Sequence, residues 1–239
     1  MRKQDNLEVS FRRALEELAK KDIEHQCRLA GADYKLTSSG EALISLSLMN
    51  EVYQIRYPQG EVICRDNPRP VNLMKKAILL RYLNNAREAG EAKGAGAKEV
   101  GNVEEAGSAK GTGARETESK KASAEEKLVG FNQLPAGSFY NPAFSGRVER
   151  QFIAFFGKEP EKLKWAAERL GGVDIPFGDV GVRVPFLPKV SISFVLWKGN
   201  DEFPPNGKIL FNSNVTSYLS TEGIVIASEM LFDELKKEL

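Results

Sequence analysis

A chain of 239 residues that is 41% hydrophobic and 28% charged has ordinary globular composition, with length for one large domain or two small ones. It is neither fibrous nor wholly disordered. The 34 Lys and Arg residues nearly balance 33 Asp and Glu, a formal charge of +1, so no strong global field draws the protein to nucleic acid or anionic lipid.

From the first residues, Leu7, Phe11, Leu15 and Leu18 recur at the spacing of one amphipathic helix face, with Asp5 or Asn6 as cap. Arg12, Arg13, Lys20 and Lys21 are interleaved with Glu16 and Glu17, the pattern of a solvated face, and no nucleic-acid partner is expected. A second short helix is predicted from Asp22 to a stop near Gly31. It carries His25, the chain's sole histidine, and Cys27, two residues on. That spacing points the two side chains about 200° apart on a helix, so they make a poor ligand pair, and His25 reads as a surface or capping residue. Cys27 and Cys64 cannot build a disulfide framework, and neither lies in a Cys-x-x-Cys pair, so no intrinsic iron-sulfur cluster, structural zinc or other metal site is expected.

The period then changes. Ile44, Leu46 and Leu48 alternate with serines, Asn50 marks a turn, and Tyr53, Ile55 and Tyr57 alternate with Gln54 and Arg56, which predicts an antiparallel hairpin. Glu61 to Cys64 forms a third short strand after the Pro58-Gln59-Gly60 turn. Pro70 suits the first turn of a helix over about 71–87, whose Leu73, Met74, Ala77, Ile78, Leu80 and Tyr82 wrap more than one face and predict a central, buried element.

Between Ala89 and Lys127 there is no Leu, Ile, Met, Phe, Tyr, Trp or Pro. Such a stretch buries too little apolar surface to offset an ordering cost of roughly 1–2 kcal/mol per residue. It reads as a disordered insertion rich in Gly, Ala, Lys and Glu. Its glycines complete no Gly-x-Gly-x-x-Gly or Gly-Lys-Ser/Thr phosphate loop.

Beyond it, Asn141-Pro142 reads as a cap and first helical residue, followed by an apolar stripe of Val148, Phe152, Phe155 and Phe156 ending at Gly157. Another helix runs from Pro160 to Gly171-Gly172. Strand signals occupy Val180 to Val184 and Val190 to Leu196, with Pro185 and Pro188 marking the bend between them, and Ile209 to Phe211. A final helix starts about Thr221. Neither half looks self-sufficient. The reading is therefore an α+β protein: one domain with a mainly antiparallel sheet and packed helices, residues 1–88 and 128–239 forming its two parts and residues 89–127 a tolerated insertion. Two domains joined by a linker is the competing view.

Two stretches are less generic than the rest. Trp197 ends a strand and leads into a loop with Asp201, Glu202, Phe203 and the stiff Pro204-Pro205 pair, an aromatic platform beside two carboxylates. Phe139, Tyr140 and Asn141 precede a predicted helix start, where backbone amides with Arg147 suit an anion. Trp197, Asp201, Glu202, Phe203, Phe139, Tyr140, Asn141 and Arg147 are the candidates for ligand or partner contact. Each stretch also has a plain structural reading, as a strand-ending turn and as a hydrophobic staple. The charged N-terminus and the lack of roughly 18 uninterrupted apolar residues lead to the expectation of a cytoplasmic protein with no membrane partner.

The run Leu134-Pro-x-Gly-x-Phe139-Tyr-Asn-Pro-Ala-Phe144-x-Gly146-Arg147, with Leu187-Pro, Val195-Leu-Trp-x-Gly-x-Asp-Glu-Phe-Pro-Pro205, Ile209-Leu-Phe211 and Tyr218-Leu-x-Thr-Glu222, resembles a domain-of-unknown-function family of anaerobic bacteria and archaea. Tyr53 to Pro58 and Ile78 to Leu83 fit its N-terminal part. Some members are fused to an iron-sulfur module, which this chain lacks, and Asn212 and Gly223 stand where acidic residues are expected. The resemblance implies association with anaerobic redox or corrinoid-type one-carbon metabolism, with a protein partner or a small-molecule ligand. It supplies no reaction, cofactor or catalytic residue. The function expected is that of a binding or accessory protein. The alternative is an enzyme or small-ligand receptor in which Asp201 and Glu202, a carboxylate pair that burial would split in pKa, work beside an aromatic pocket.

Overall fold

The computed structural model describes residues 3–38, 40–67, 69–88 and 127–239. The expected insertion therefore lies, but for Lys127, outside the described residues.

Helix α1 (Lys3–Leu18) starts early enough that Asp5 and Asn6 are inside it instead of capping it. Helix α2 (Ile23–Ala30) is capped as its sequence requires: the Asp22 side chain accepts from the His25 amide at 2.9 Å, and Gly31 ends the helix at φ 65°. Strands β1 (Asp33–Leu36), β2 (Ala42–Leu48), β3 (Glu51–Tyr57) and β4 (Glu61–Cys64) then form an antiparallel meander in that order. On β2 the alternation is complete, with Ala42, Ile44, Leu46 and Leu48 buried and the residues between them half-buried. β1 was not foreseen, because Asp33, Lys35 and Leu36 are all exposed and leave no alternating signal. Helix α3 (Leu73–Asn85) is capped by Asn72, whose side chain accepts from the Lys75 amide at 2.8 Å, so Pro70 lies ahead of the helix and outside its first turn.

The second segment opens with β5 (Leu128–Gly130), a 3₁₀ turn at Phe131–Gln133 and α4 (Gly137–Phe144). This corrects the expected start at Asn141-Pro142: the helix begins five residues earlier, with Ala136 at the cap position, and Pro142 is its sixth residue. The backbone then widens into a π-helical turn, Ser145–Glu149, before α5 (Arg150–Phe156) and α6 (Pro160–Arg169). Strands β6 (Val173–Asp174), β7 (Val180–Leu187), β8 (Val190–Trp197) and β9 (Asn206–Asn212) complete an antiparallel sheet of order β5-β9-β8-β7-β6. Pro185 sits within β7, at a shift in register with β8, and the bend falls after Leu187. Helix α7 (Thr221–Lys237) closes the fold, its Ser220 cap accepting from the Gly223 amide at 3.2 Å. The protein is thus α+β with antiparallel sheets, and among the described residues no helix is long and apolar enough to cross a membrane.

One contiguous buried cluster draws on both segments, joining Ile44, Leu48 and Ile55 of the first sheet, Ile78 and Leu79 of α3, Val184, Phe186 and Phe194 of the second sheet, and Ile224 and Leu231 of α7. Polar bonds seal the joint. The Met49 amide donates to the Phe186 carbonyl at 2.7 Å, Asn50 Nδ2 donates to the Arg169 carbonyl, and Arg87 Nη2 donates to the Thr216 carbonyl at 3.0 Å. Buried Tyr82 of α3 donates to the Ala30 carbonyl at 2.5 Å and accepts from the Lys189 amide at 3.1 Å, linking α2 to the β7–β8 turn. Burial raises its phenol pKa well above the ordinary range. Within the first segment, Gln26 Nε2 of α2 donates to the Leu83 and Ala86 carbonyls at the end of α3, and Asn84 Nδ2 of α3 donates to the Ala14 carbonyl of α1.

Candidate functional site

Four helices leave a groove of about 670 Å³ between them. Each contributes residues at helical spacing. α1 provides Leu7 and Ser10, and α3 provides Met74 and Arg81. α4 and the π turn provide Tyr140, Ala143, Phe144 and Arg147, and α7 provides Glu222, Val225, Ile226 and Glu229. Phe144 is held in the floor by stacking on Phe131, with ring centroids 4.1 Å apart and planes 10° from parallel. Gly137 permits this, because a Cβ there would lie 1.9 Å from the Phe131 carbonyl oxygen. Thr221 Oγ1, at the start of α7, donates to the Pro135 carbonyl at 2.7 Å and ties the two helix beginnings together.

The charged groups around the groove are unequally paired. Arg147 grips Glu229 with one edge of its guanidinium, Nε to Oε1 at 2.7 Å and Nη2 to Oε2 at 3.0 Å. Arg81 Nη2 donates to Ser10 Oγ at 2.6 Å, while its Nη1 stands 4.0 Å from the Glu222 carboxylate. The Arg81 side chain is 31% exposed and that of Glu222 is 78% exposed, so this ion pair is loose and screened. The groove therefore combines an apolar floor with a short set of polar groups, two cationic and two anionic.

The sequence candidates separate in space. Tyr140 and Arg147 line the groove. Asn141 is half-buried, and its carbonyl accepts from the Ser145 amide as the helix widens. Phe139 faces out, 81% exposed, with its ring edge against Tyr140 at 5.1 Å between centroids. The expected anion site at the start of α4 has a different surrounding: Arg147 is engaged by Glu229, and it is the first turn of α7 that lines the groove.

Trp197, 41% exposed, ends β8 opposite Asn206. Asp201, Glu202 and Phe203 are exposed on a turn closed by Asn200, whose Oδ1 accepts from the Glu202 and Phe203 amides at 3.0 and 2.7 Å. The loop is moored towards α6, since Lys198 Nζ lies 3.3 Å from Glu161 and the Lys198 amide donates to Asp179 at 2.7 Å. None of residues 197–205 lines the groove. The two aromatic stretches therefore do not converge there.

Arg81, Ser10, Met74, Glu222 and Glu229 were not among the candidates. Arg81 had little signal of its own, being one of three cations, with Lys75 and Lys76, on a helix whose apolar residues cover more than one face. Ser10 and Glu229 had none, because single polar residues on amphipathic helices are the common background. A second concavity of about 410 Å³ lies between α6 and the β6 edge, beside exposed Trp165 and Val173 and the Lys164–Asp174 pair at 3.5 Å.

Comparison with known proteins agrees with the resemblance in kind. No curated protein and no solved structure matches the chain. Residues 117–234, a little under half of it, match the sequence model of a domain of unknown function, DUF3786. That match supports membership of this part of the chain in an uncharacterised domain family, whose matched stretch supplies the α4, π-turn and α7 walls of the groove while α1 and α3 come from outside it.

Proposed function

We propose that the protein is a non-catalytic binding or accessory protein whose ligand site is the groove between α1, α3, α4 and α7. The observation that carries this reading is the groove's make-up. Its volume falls in the range of small-molecule sites, its floor is apolar, and its polar groups are few. Among the described residues no His, Cys or Lys lines it, and no nucleophile is paired with a base. A neutral solvatochromic dye, Nile red, tests the site. Its emission is expected to blue-shift and intensify with the full chain, and this response is expected to vanish in Ala143→Trp, which fills the groove from an exposed helix position, with the melting temperature unchanged. Equal dye response in a folded Ala143→Trp variant contradicts the reading.

A second reading rests on the exposed aromatics Phe139, Trp197 and Phe203, which suit contact with a partner protein. The family resemblance favours a partner from anaerobic redox or corrinoid-type one-carbon metabolism in a cytoplasmic setting. Capture from native anaerobic lysate is expected to lose its specific partner on Trp197→Ala with Phe203→Ala; identical capture rejects it. The enzyme alternative built on Asp201 and Glu202 draws less support, because both side chains are exposed and neither lines the groove.

A further inference from the structure

The groove's polar groups select among ligands, an inference that rests on the groove being the ligand site. Arg147 already has a two-point carboxylate partner in Glu229. Arg81 does not. A guanidinium carries five N–H donors; one donates to Ser10, and the Glu222 carboxylate stands 4.0 Å away on a side chain that is mostly in solvent. Arg81 is nonetheless two-thirds removed from water, on a helix whose other residue lining the groove is the half-buried Met74. A cation so placed gains most from a planar anion that can take two of its donors at once. Glu222 is the second residue of α7, so the positive end of a 17-residue helix lies at the same wall.

The charge balance limits the anion. Arg81 and Arg147 are matched by Glu222 and Glu229, and exposed Glu222 is the one carboxylate that can turn into water without breaking a close pair. Its departure leaves a single positive charge to be answered, which fits a monoanion and not a phosphate dianion. Around that charge the lining is Leu7, Met74, Phe144, Val225 and Ile226. We propose that the groove binds an amphipathic monocarboxylate, its carboxylate forked on Arg81 in place of Glu222 and its hydrocarbon body on the apolar floor.

Calorimetric titration of the full chain with octanoate, octanol and octylamine tests this. Octanoate is expected to bind about tenfold tighter than octanol, and octylamine more weakly than either. Arg81→Gln is expected to lower octanoate to the affinity of octanol without changing octanol, and Arg81→Lys to keep part of the preference. Glu222→Gln, at an exposed position, is expected to strengthen octanoate two- to threefold, roughly the effect of removing a screened competitor, which a merely structural Arg81 would not produce. Equal affinities for octanoate and octanol, or a preference that survives Arg81→Gln, overturn the carboxylate assignment. If Nile red still reports the groove in that case, only this assignment fails; if neither the dye nor either chain binds, the groove reading fails with it.

Discussion

At Gly137 the requirement is for the absence of a side chain. The Cβ of an alanine there would meet the Phe131 backbone oxygen at 1.9 Å and the Phe131 and Asn132 carbonyl carbons at 3.0 and 3.3 Å, and backbone cannot move aside as a flexible side chain can. Gly137→Ala is therefore expected to destabilise the protein by about 1–3 kcal/mol through overpacking and to displace Phe144 from its stack on Phe131. Urea unfolding with near-ultraviolet circular dichroism checks both effects; an unchanged midpoint contradicts the close approach. Individual residues were the least legible part of the sequence. Tyr140 and Arg147 stood out because an aromatic run and a cation lay near a helix start, yet the arginine with unfilled donors is Arg81, visible only once α7 is laid beside α3. Cys27 behaves as its surroundings dictate: burial, with Glu24 nearby, pushes its thiol up to about 11, which keeps it protonated and unreactive at neutral pH.

Among elements, the first sheet and α3 are clasped by a half-buried triad. Lys75 Nζ donates to Glu51 Oε2 at 2.7 Å and to the Tyr53 hydroxyl at 2.8 Å, and Tyr53 in turn donates to Glu51. Burial by itself would raise the Glu51 pKa, but hydrogen bonds from Lys75 and Tyr53 and the charge of Lys75 outweigh it and hold the carboxyl below its ordinary 4.5. Tyr53 is driven the other way, first by burial and then by its bond to the carboxylate. A folded-state pKa below the unfolded one contributes stability that is present above the unfolded value and lost as pH falls through the folded one. Glu51→Gln is accordingly expected to cost about 1 kcal/mol at pH 7 and to flatten the acid side of the stability profile as pH falls below the ordinary carboxyl value of 4.5, measured by urea midpoints. Parallel profiles for the two proteins contradict this. Regular elements were legible where burial imposes a period, as on β2 and β3, and at caps such as Asp22, Gly31 and the Pro160 start of α6. They were illegible where a strand is short or both faces are wet, as in β1 and β6. The start of α4 was misplaced because Pro142 usually marks a first turn, whereas here it is accommodated just ahead of a π-helical widening.

Taken whole, the molecule depends on segments far apart in sequence sharing an interior. One buried cluster contains residues of both segments, and the way in which they meet was not legible in the sequence. The Tyr82–Lys189, Met49–Phe186 and Arg87–Thr216 bonds each join residues separated by 50 or more positions, and no local pattern announces such pairs. The same juxtaposition makes the groove, whose walls come from α1 and α3 on one side of residues 89–127 and from α4 and α7 on the other. The matched DUF3786 stretch alone lacks Arg81, so the proposed carboxylate anchor exists only in the assembled protein. The decisive measurement is native-state hydrogen exchange by mass spectrometry on the full chain carrying Ile78→Ala, a cavity in α3 expected to cost about 2–5 kcal/mol. A common interior predicts that peptides spanning β2–β3 and those spanning β7–β8 lose the same free energy of protection; loss confined to the first set, with β7–β8 as protected as before, would contradict the account.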